Sequence, residues 1–190
     1  MLRPEGGQAS GLDERYRYLM SRAARDGNDH YLAQMLASWS VGATALPVFL
    51  GLGQDGFNRL LRTHFPGAEL RADTDLRIDP ERLDEIDDLM RLLVGFRAGV
   101  SVSELSMAKI LALACMGMDH LWQDLGLWSR RELSALMRAN FPALAALNDR
   151  DMKWKKFLYK QLCQREGIYV CRSPSCDVCA DYKVCFGPEE

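Results

Sequence analysis

Two stretches of this 190-residue chain, ASWSVGATALPVFLGL (37–52) and ALACMGMDHLWQDLGL (112–127), align without a gap. Ala37 matches Ala112, Gly42 matches Gly117, Leu46 matches Leu121, and both stretches end in Leu-Gly-Leu. With one residue inserted, LLRTHFPGA (60–68) then matches LMRANFPAL (136–144), including Arg62 with Arg138 and the two Phe-Pro pairs. Identities that keep one offset over a whole supersecondary unit point to two copies of a long helix, a turn and a short helix. Chance is the competing explanation, because Leu-Gly and Phe-Pro are common helix-end signals.

Working outward, the apolar spacing is helical nearly throughout and no alternating strand pattern appears. A first helix is expected over Leu12 to Ala24, and a more apolar one from Asp29 to Val41 or beyond, broken near Pro47. A shorter segment, Asp55 to Phe65, stops at Pro66-Gly67, and RADTDLRID (71–79) is a polar link. Asp79-Pro80 supplies an N-cap and a first-turn proline for a helix through Leu89, Leu92 and Phe96. Ser101 with Glu104, and Ser129 with Glu132, fit capping boxes ahead of two further helices. Asn148 to Asp151 caps the last helix, which Gly167 closes. The fold class expected is all-α: a helical bundle over residues 1–167, followed by a cysteine-rich metal-binding segment, residues 168–190.

Composition narrows the function classes. The chain is 48% hydrophobic and 26% charged, which suits a globular domain able to build its own core. A net charge of −2 sets up no general attraction to nucleic acid or anionic membrane. MLRPEGGQASGLDERY is too polar for a signal peptide, and no apolar run is long enough to span a bilayer. The expectation is a soluble, cytoplasmic protein. No nucleophile–base pair, phosphate-binding loop or nucleotide fingerprint is visible.

The chemistry concentrates at the end of the chain. Four of the six cysteines fall in CRSPSCDVCADYKVCF (171–186), spaced Cys171-x4-Cys176-x2-Cys179-x5-Cys185. In a reducing cytosol such a cluster points to metal ligation more than to disulfides. Thiolates are soft ligands that suit zinc, copper(I) or iron–sulfur clusters. Structural zinc usually draws two short knuckles together, whereas one compact run can wrap a larger cluster, so spacing favours iron–sulfur while leaving zinc open. Thiol–disulfide exchange at Cys176 and Cys179 is the third alternative, although the expected βαβ context is missing.

HLWQDLGL (120–127), NFPALAALNDRDMKWKKFLYKQLCQREG (140–167) and the tail CRSPSCDVCADYKVCFGPE together resemble the NifQ family of nitrogen-fixation proteins. The resemblance is strong over roughly residues 105 to 190 and loose before that. It implies a non-enzymatic carrier that binds an iron–sulfur cluster and molybdenum through Cys171, Cys176, Cys179 and Cys185. It also implies donation of molybdenum to assembly of the nitrogenase iron–molybdenum cofactor. The partners implied are the cofactor-assembly scaffold, the nitrogenase iron protein, and molybdate or a reduced molybdenum species.

Other residues add weaker signals. Where the first copy carries Thr44, Pro47, Val48 and Phe49, the second carries Asp119, His120, Trp122, Gln123 and Asp124, which marks the second unit as the functional one. His120 is a candidate metal ligand or a satisfied histidine in a helix contact. Cys163, eight positions before Cys171, is a candidate fifth ligand, relay thiol or plain helix residue. Cys115 reads as a small core residue, and His30 and His64, without a supporting cluster, as surface or cap residues. Trp154, Phe157, Leu158, Gln161 and Leu162 form a packing stripe. Lys153, Lys156 and Lys160 lie on another face, either solvated or attracting an anion.

Overall fold

A computed structural model describes residues 6–71, 74 and 76–165 and, from residue 11 onward, their side chains. Gly167 and the segment 168–190, with Cys171, Cys176, Cys179 and Cys185, lie outside the described residues. Among the described residues every regular element is a helix. In chain order these are α1 (Gly6–Met20), α2 (Asp29–Trp39), α3 (Gly53–His64), α4 (Leu83–Val94) and α5 (Glu104–Ala114). Then come α6 (Leu121–Leu125), α7 (Arg130–Asn140), α8 (Pro142–Ala146) and α9 (Trp154–Arg165). No described helix is long and apolar enough to cross a membrane.

The centre of the bundle is made by α2 and α5. Leu32, Ala33, Met35, Leu36 and Ala37 of α2, and Met107, Ala108, Ile110, Leu111 and Ala112 of α5, are wholly removed from solvent. Helices apolar on most of their circumference must be enclosed, and the amphipathic helices α3, α4 and α7 close around them. Each fully buried leucine contributes about 1.5–3 kcal/mol by leaving water. Neighbouring helices pair as α1 on α2, α4 on α5 and α4 on α9.

The two aligned halves have matching features. α2 and α5 each contain 11 residues. α3 and α7 both stop at a phenylalanine of nearly the same conformation, Phe65 (φ −137°, ψ 67°) and Phe141 (φ −137°, ψ 56°). Just before each phenylalanine, the carbonyl of His64 accepts the Ala24 N–H (2.9 Å) and that of Asn140 accepts the Ala98 N–H (2.8 Å). The aligned Gly51 and Gly126 are both left-handed, with φ of 70° and 76°.

Gly126 also sits against the first half. A Cβ there would fall 2.5 Å from Ser38 Cβ and 2.6 Å from Thr44 Cγ2. Gly126→Ala combines that clash with left-handed strain, for an expected cost of about 2 kcal/mol. Thermal unfolding should show a midpoint about 5 °C lower, and an unchanged midpoint would show that this seam is not tight.

Polar contacts join the halves. Ser38 Oγ donates to the Gly126 carbonyl (2.7 Å) and the Ala45 amide to the Asp124 carbonyl (3.0 Å). Asn28 and Asn140, both buried, exchange two hydrogen bonds of 2.7 and 2.8 Å. His30 meets Tyr16 at 2.8 Å and Glu132 at 2.9 Å, bridging α1, α2 and α7.

Several local expectations need correction. α1 ends at Met20, short of Ala24, because the Ala24 amide turns to the His64 carbonyl and Arg25 takes a positive φ of 69°. Of each expected capping box only half forms. Glu104 accepts the Ser101 amide, but the Ser101 hydroxyl goes to Asp26. Ser129 Oγ accepts the Glu132 amide, but the Glu132 carboxylate goes to His30. His64 is neither a surface nor a cap residue: it is 1% exposed and bonded through Nδ1 to Asp29 at 2.7 Å.

Candidate functional site

The segment on which the two copies differ most lies beside a cavity. Loop residues 42–45 of the first half face residues 116–119 and 123–124 of the second, and Leu76 to Asp79, Arg82 and Ile86 complete the wall. This open cleft holds about 720 Å³. Phe49 and Leu50, next to the wall residue Pro47, hold positive φ of 56° and 53°. Non-glycine residues keep such angles only where the surroundings impose them.

The polar side of this wall grips α9. Lys155 donates to the Asp124 carboxylate and, at 2.9 Å, to the Gly117 carbonyl. Asp124 is only 5% exposed and Lys155 19%. Burial pushes the Asp124 carboxyl above the usual carboxylate range despite the ammonium beside it. Gly117 is required here, because a Cβ would land on the Asp124 carboxylate.

A second grip lies one turn further along α9. Arg82 clasps Glu85 through Nε (2.9 Å) and Nη2 (3.0 Å) and reaches the Met116 carbonyl with Nη1 (2.9 Å). Tyr159 donates its hydroxyl to Glu85. The Arg82 hydrogen bond holds the Glu85 carboxyl below its usual range, while burial and then Glu85 push the Tyr159 phenol up. At the far end of α9 the Arg165 guanidinium stacks over Phe96, 5.2 Å from the ring centre. Trp154, Phe157 and Leu158 are buried as the stripe predicted.

Of the sequence-predicted ligands, His120 and Cys163 lie within the described residues. His120 is the N-cap of α6, and its amide donates to Gln123 Oε1 at 3.2 Å. Cys163 is half-buried near the end of α9. Lys155 sits beside Gly117, and eight further residues place Cys163 about 12 Å along the helix axis. The two residues share no potential metal-binding group among the described residues. Cys115 is buried, as expected of a core residue, and its thiol is pushed up to about 12 by burial.

One cluster was missed from the sequence. Asp26, Asp29 and His64 bring their ligand atoms within 4.8 Å of one another. Their contacts are those of a brace. Asp26 accepts the Ser101 hydroxyl at 3.0 and 3.1 Å and the Asn28 amide at 2.9 Å, while Asp29 accepts His64 and the Asp26 amide. The signal in the sequence was the alignment of Asp29 with Glu104, since each carboxylate takes a backbone amide from the loop before its helix.

With the geometry fixed, comparison with known proteins is decisive. The family model NifQ matches residues 31–187, from α2 through the last cysteine. The chain belongs to the NifQ family of nitrogen-fixation proteins. A NifQ protein of Azotobacter vinelandii is 45% identical over 174 residues, covering 85% of this chain and 89% of that protein. The Rhodobacter capsulatus NifQ is 39% identical over 159 residues, covering 83% and 87%. A NifQ homolog of Sinorhizobium fredii is 37% identical over 169 residues, covering 84% and 70%. No solved structure matches. The NifQ match therefore takes in the cavity, the helix gripped beside it and the cysteine run, and is not confined to the strongly resembling second half.

Proposed function

We propose that this chain is a non-enzymatic carrier of molybdenum. It binds an iron–sulfur cluster through Cys171, Cys176, Cys179 and Cys185 and holds molybdenum with it. The metal then passes to the scaffold on which the nitrogenase iron–molybdenum cofactor is built, with the nitrogenase iron protein as a further partner. The observation that carries this reading is that all four clustered thiols fall inside the NifQ match. Thiolates are the right ligands for such cargo, being soft and able to exchange metal–sulfur bonds. The grips on α9 support it by fixing the helix that leads to those cysteines. Cys163 is proposed as a relay or fifth ligand at the end of that helix, and His120 as a ligand from the other unit when carrier and cargo are assembled.

We also read residues 37–68 and 112–144 as copies of one ancestral unit, the second having taken on polar work. The equal lengths of α2 and α5, the two phenylalanine stops and the paired left-handed glycines support that reading.

Anaerobic purification followed by measurement of iron, acid-labile sulfide, molybdenum and zinc on one sample tests the carrier reading. Iron with sulfide, and molybdenum retained after desalting, is the expected result. Stoichiometric zinc without sulfide would make the protein a zinc-stabilised interaction module. Metal-free thiols that cycle between Cys176 and Cys179 would make it a redox protein. Chelation is expected to leave the helical circular-dichroism signal intact, because the core around α2 and α5 is closed by apolar packing and by hydrogen bonds between described residues.

A further inference from the structure

The turn between α4 and α5 is patterned inside out. Its polar side chains face inward, where Glu104 accepts the amides of Gly99, Val100 and Ser101. Ser101 donates to Asp26, and Ser103 accepts from the Asn28 side chain. The apolar residues interleaved with them face solvent, with Val100 87% exposed, Val102 78% and Leu105 46%. Solvent-facing turns favour Gly, Pro, Asn, Asp and Ser. Three exposed apolar side chains between positions 100 and 105 instead mark an interaction surface.

The course of α9 identifies what lies nearest to that surface. α9 runs along α4 in the same direction, with Tyr159 at Glu85 near the start of α4. Arg165 stacks over Phe96 and lies next to Gly95, at the end of α4. α9 therefore ends at the end of the bundle where α4 turns into α5. The residues that follow in sequence are Glu166, Gly167 and the apolar triplet Ile168-Tyr169-Val170, immediately before Cys171. Val100 is four residues from Phe96, and Tyr169 is four from Arg165. Four residues of chain reach about 14 Å, so both spans start from one contact and cover the same end of the bundle. We propose that Val100, Val102 and Leu105 are the seat of Ile168-Tyr169-Val170. The two apolar groups leave water together, and the contact ties the root of the cysteine segment to the N-terminal end of α5. The seat is separate from metal carriage and its test needs no metal.

The test is site-specific photo-cross-linking in the full chain. Val102→p-benzoylphenylalanine puts the label on the patch, at a side chain exposed enough to leave the core undisturbed. Leu147→p-benzoylphenylalanine labels an exposed position near the opposite end of α9, a helix about 18 Å long. On irradiation, the label at 102 should join tryptic peptide 166–172 of the same chain, and the label at 147 should do so at least tenfold less. As a second readout, Val100→Ser combined with Val102→Ser should speed amide hydrogen exchange at Tyr169 and Val170 at least tenfold. Exchange in α2 and α5 should stay at the wild-type rate, showing that the bundle is intact. Cross-links between two chains, with a yield that rises with concentration, give the patch to a second copy and overturn the proposal. A product at 102 that omits peptide 166–172, or equal products from 102 and 147, does so too. Unchanged exchange at Tyr169 and Val170 in the serine variant has the same consequence.

Discussion

Asp124→Ala is expected to destabilise the fold by about 3 kcal/mol, read from urea midpoints at constant slope. The carboxylate is 5% exposed and its partner Lys155 19%. Deleting it strands an ammonium with the Gly117 carbonyl as its remaining acceptor. Removing one member of a buried pair usually costs about 3–5 kcal/mol, and the partial exposure of Lys155 places this case at the lower end. The pair itself contributes much less. Burial raises the Asp124 carboxyl even with Lys155 beside it, so desolvation outweighs what the ammonium returns. With the folded value above the unfolded one of about 3.9, the unfolded chain releases this proton first as pH rises. Ionisation of Asp124 therefore subtracts stability across that interval. The double change Asp124→Leu with Lys155→Met should in consequence recover most of the loss. A single variant within about 0.5 kcal/mol of wild type, or a double variant as unstable as the single, would refute the grip on α9.

What could be read in advance was whatever the chain encodes over short distances. α7 begins after Ser129 and stops at Asn140 where serine and Phe-Pro place its ends, and Asp79 caps the turn that enters α4. The buried stripe Trp154, Phe157 and Leu158 follows from the spacing of α9 alone. Lys155, one position off that stripe, was passed over, because its partner Asp124 belongs to another helix and only the folded bundle brings them together. Glu85 and Tyr159 escaped for the same reason, at a separation of 74 residues. His64 shows the limit most clearly. Its position in an amphipathic helix suits a surface or an interior residue equally, and Asp29, 35 residues earlier, decides the matter. Within the site, the divergence between the two copies pointed to residues 119–124, of which Asp119, Gln123 and Asp124 line the cavity while His120 and Trp122 do not, yet the facing loop 42–45 carried no signal of its own.

Glu104→Gln is expected to cost about 2–3 kcal/mol and to flatten the acid limb of the stability profile. The Glu104 side chain, on a residue 3% exposed, accepts three backbone amides, from Gly99 (2.7 Å), Val100 (2.7 Å) and Ser101 (3.0 Å). Burial alone would raise this carboxyl, but the three amides and Arg97 overcome it and hold the group below its usual range. A glutamine can still accept two of these bonds through one oxygen. Its nitrogen, however, then confronts the Gly99 N–H, donor against donor, in a turn that Gly99 enters with φ of 75°. Hydrogen bonds to a charged acceptor contribute about 1.5–3 kcal/mol each, and water at the exposed Gly99 and Val100 recovers part of the loss. The sign with pH follows from the depressed folded value. Stability from Glu104 is complete above the unfolded value of about 4.3 and disappears as pH falls through the lower folded one. Urea unfolding between about pH 6 and pH 3 should show the wild type losing stability more steeply than the glutamine variant, the two curves converging at the acid end. Parallel curves, or a glutamine variant as stable as wild type at neutral pH, would show that the turn before α5 is held by other contacts.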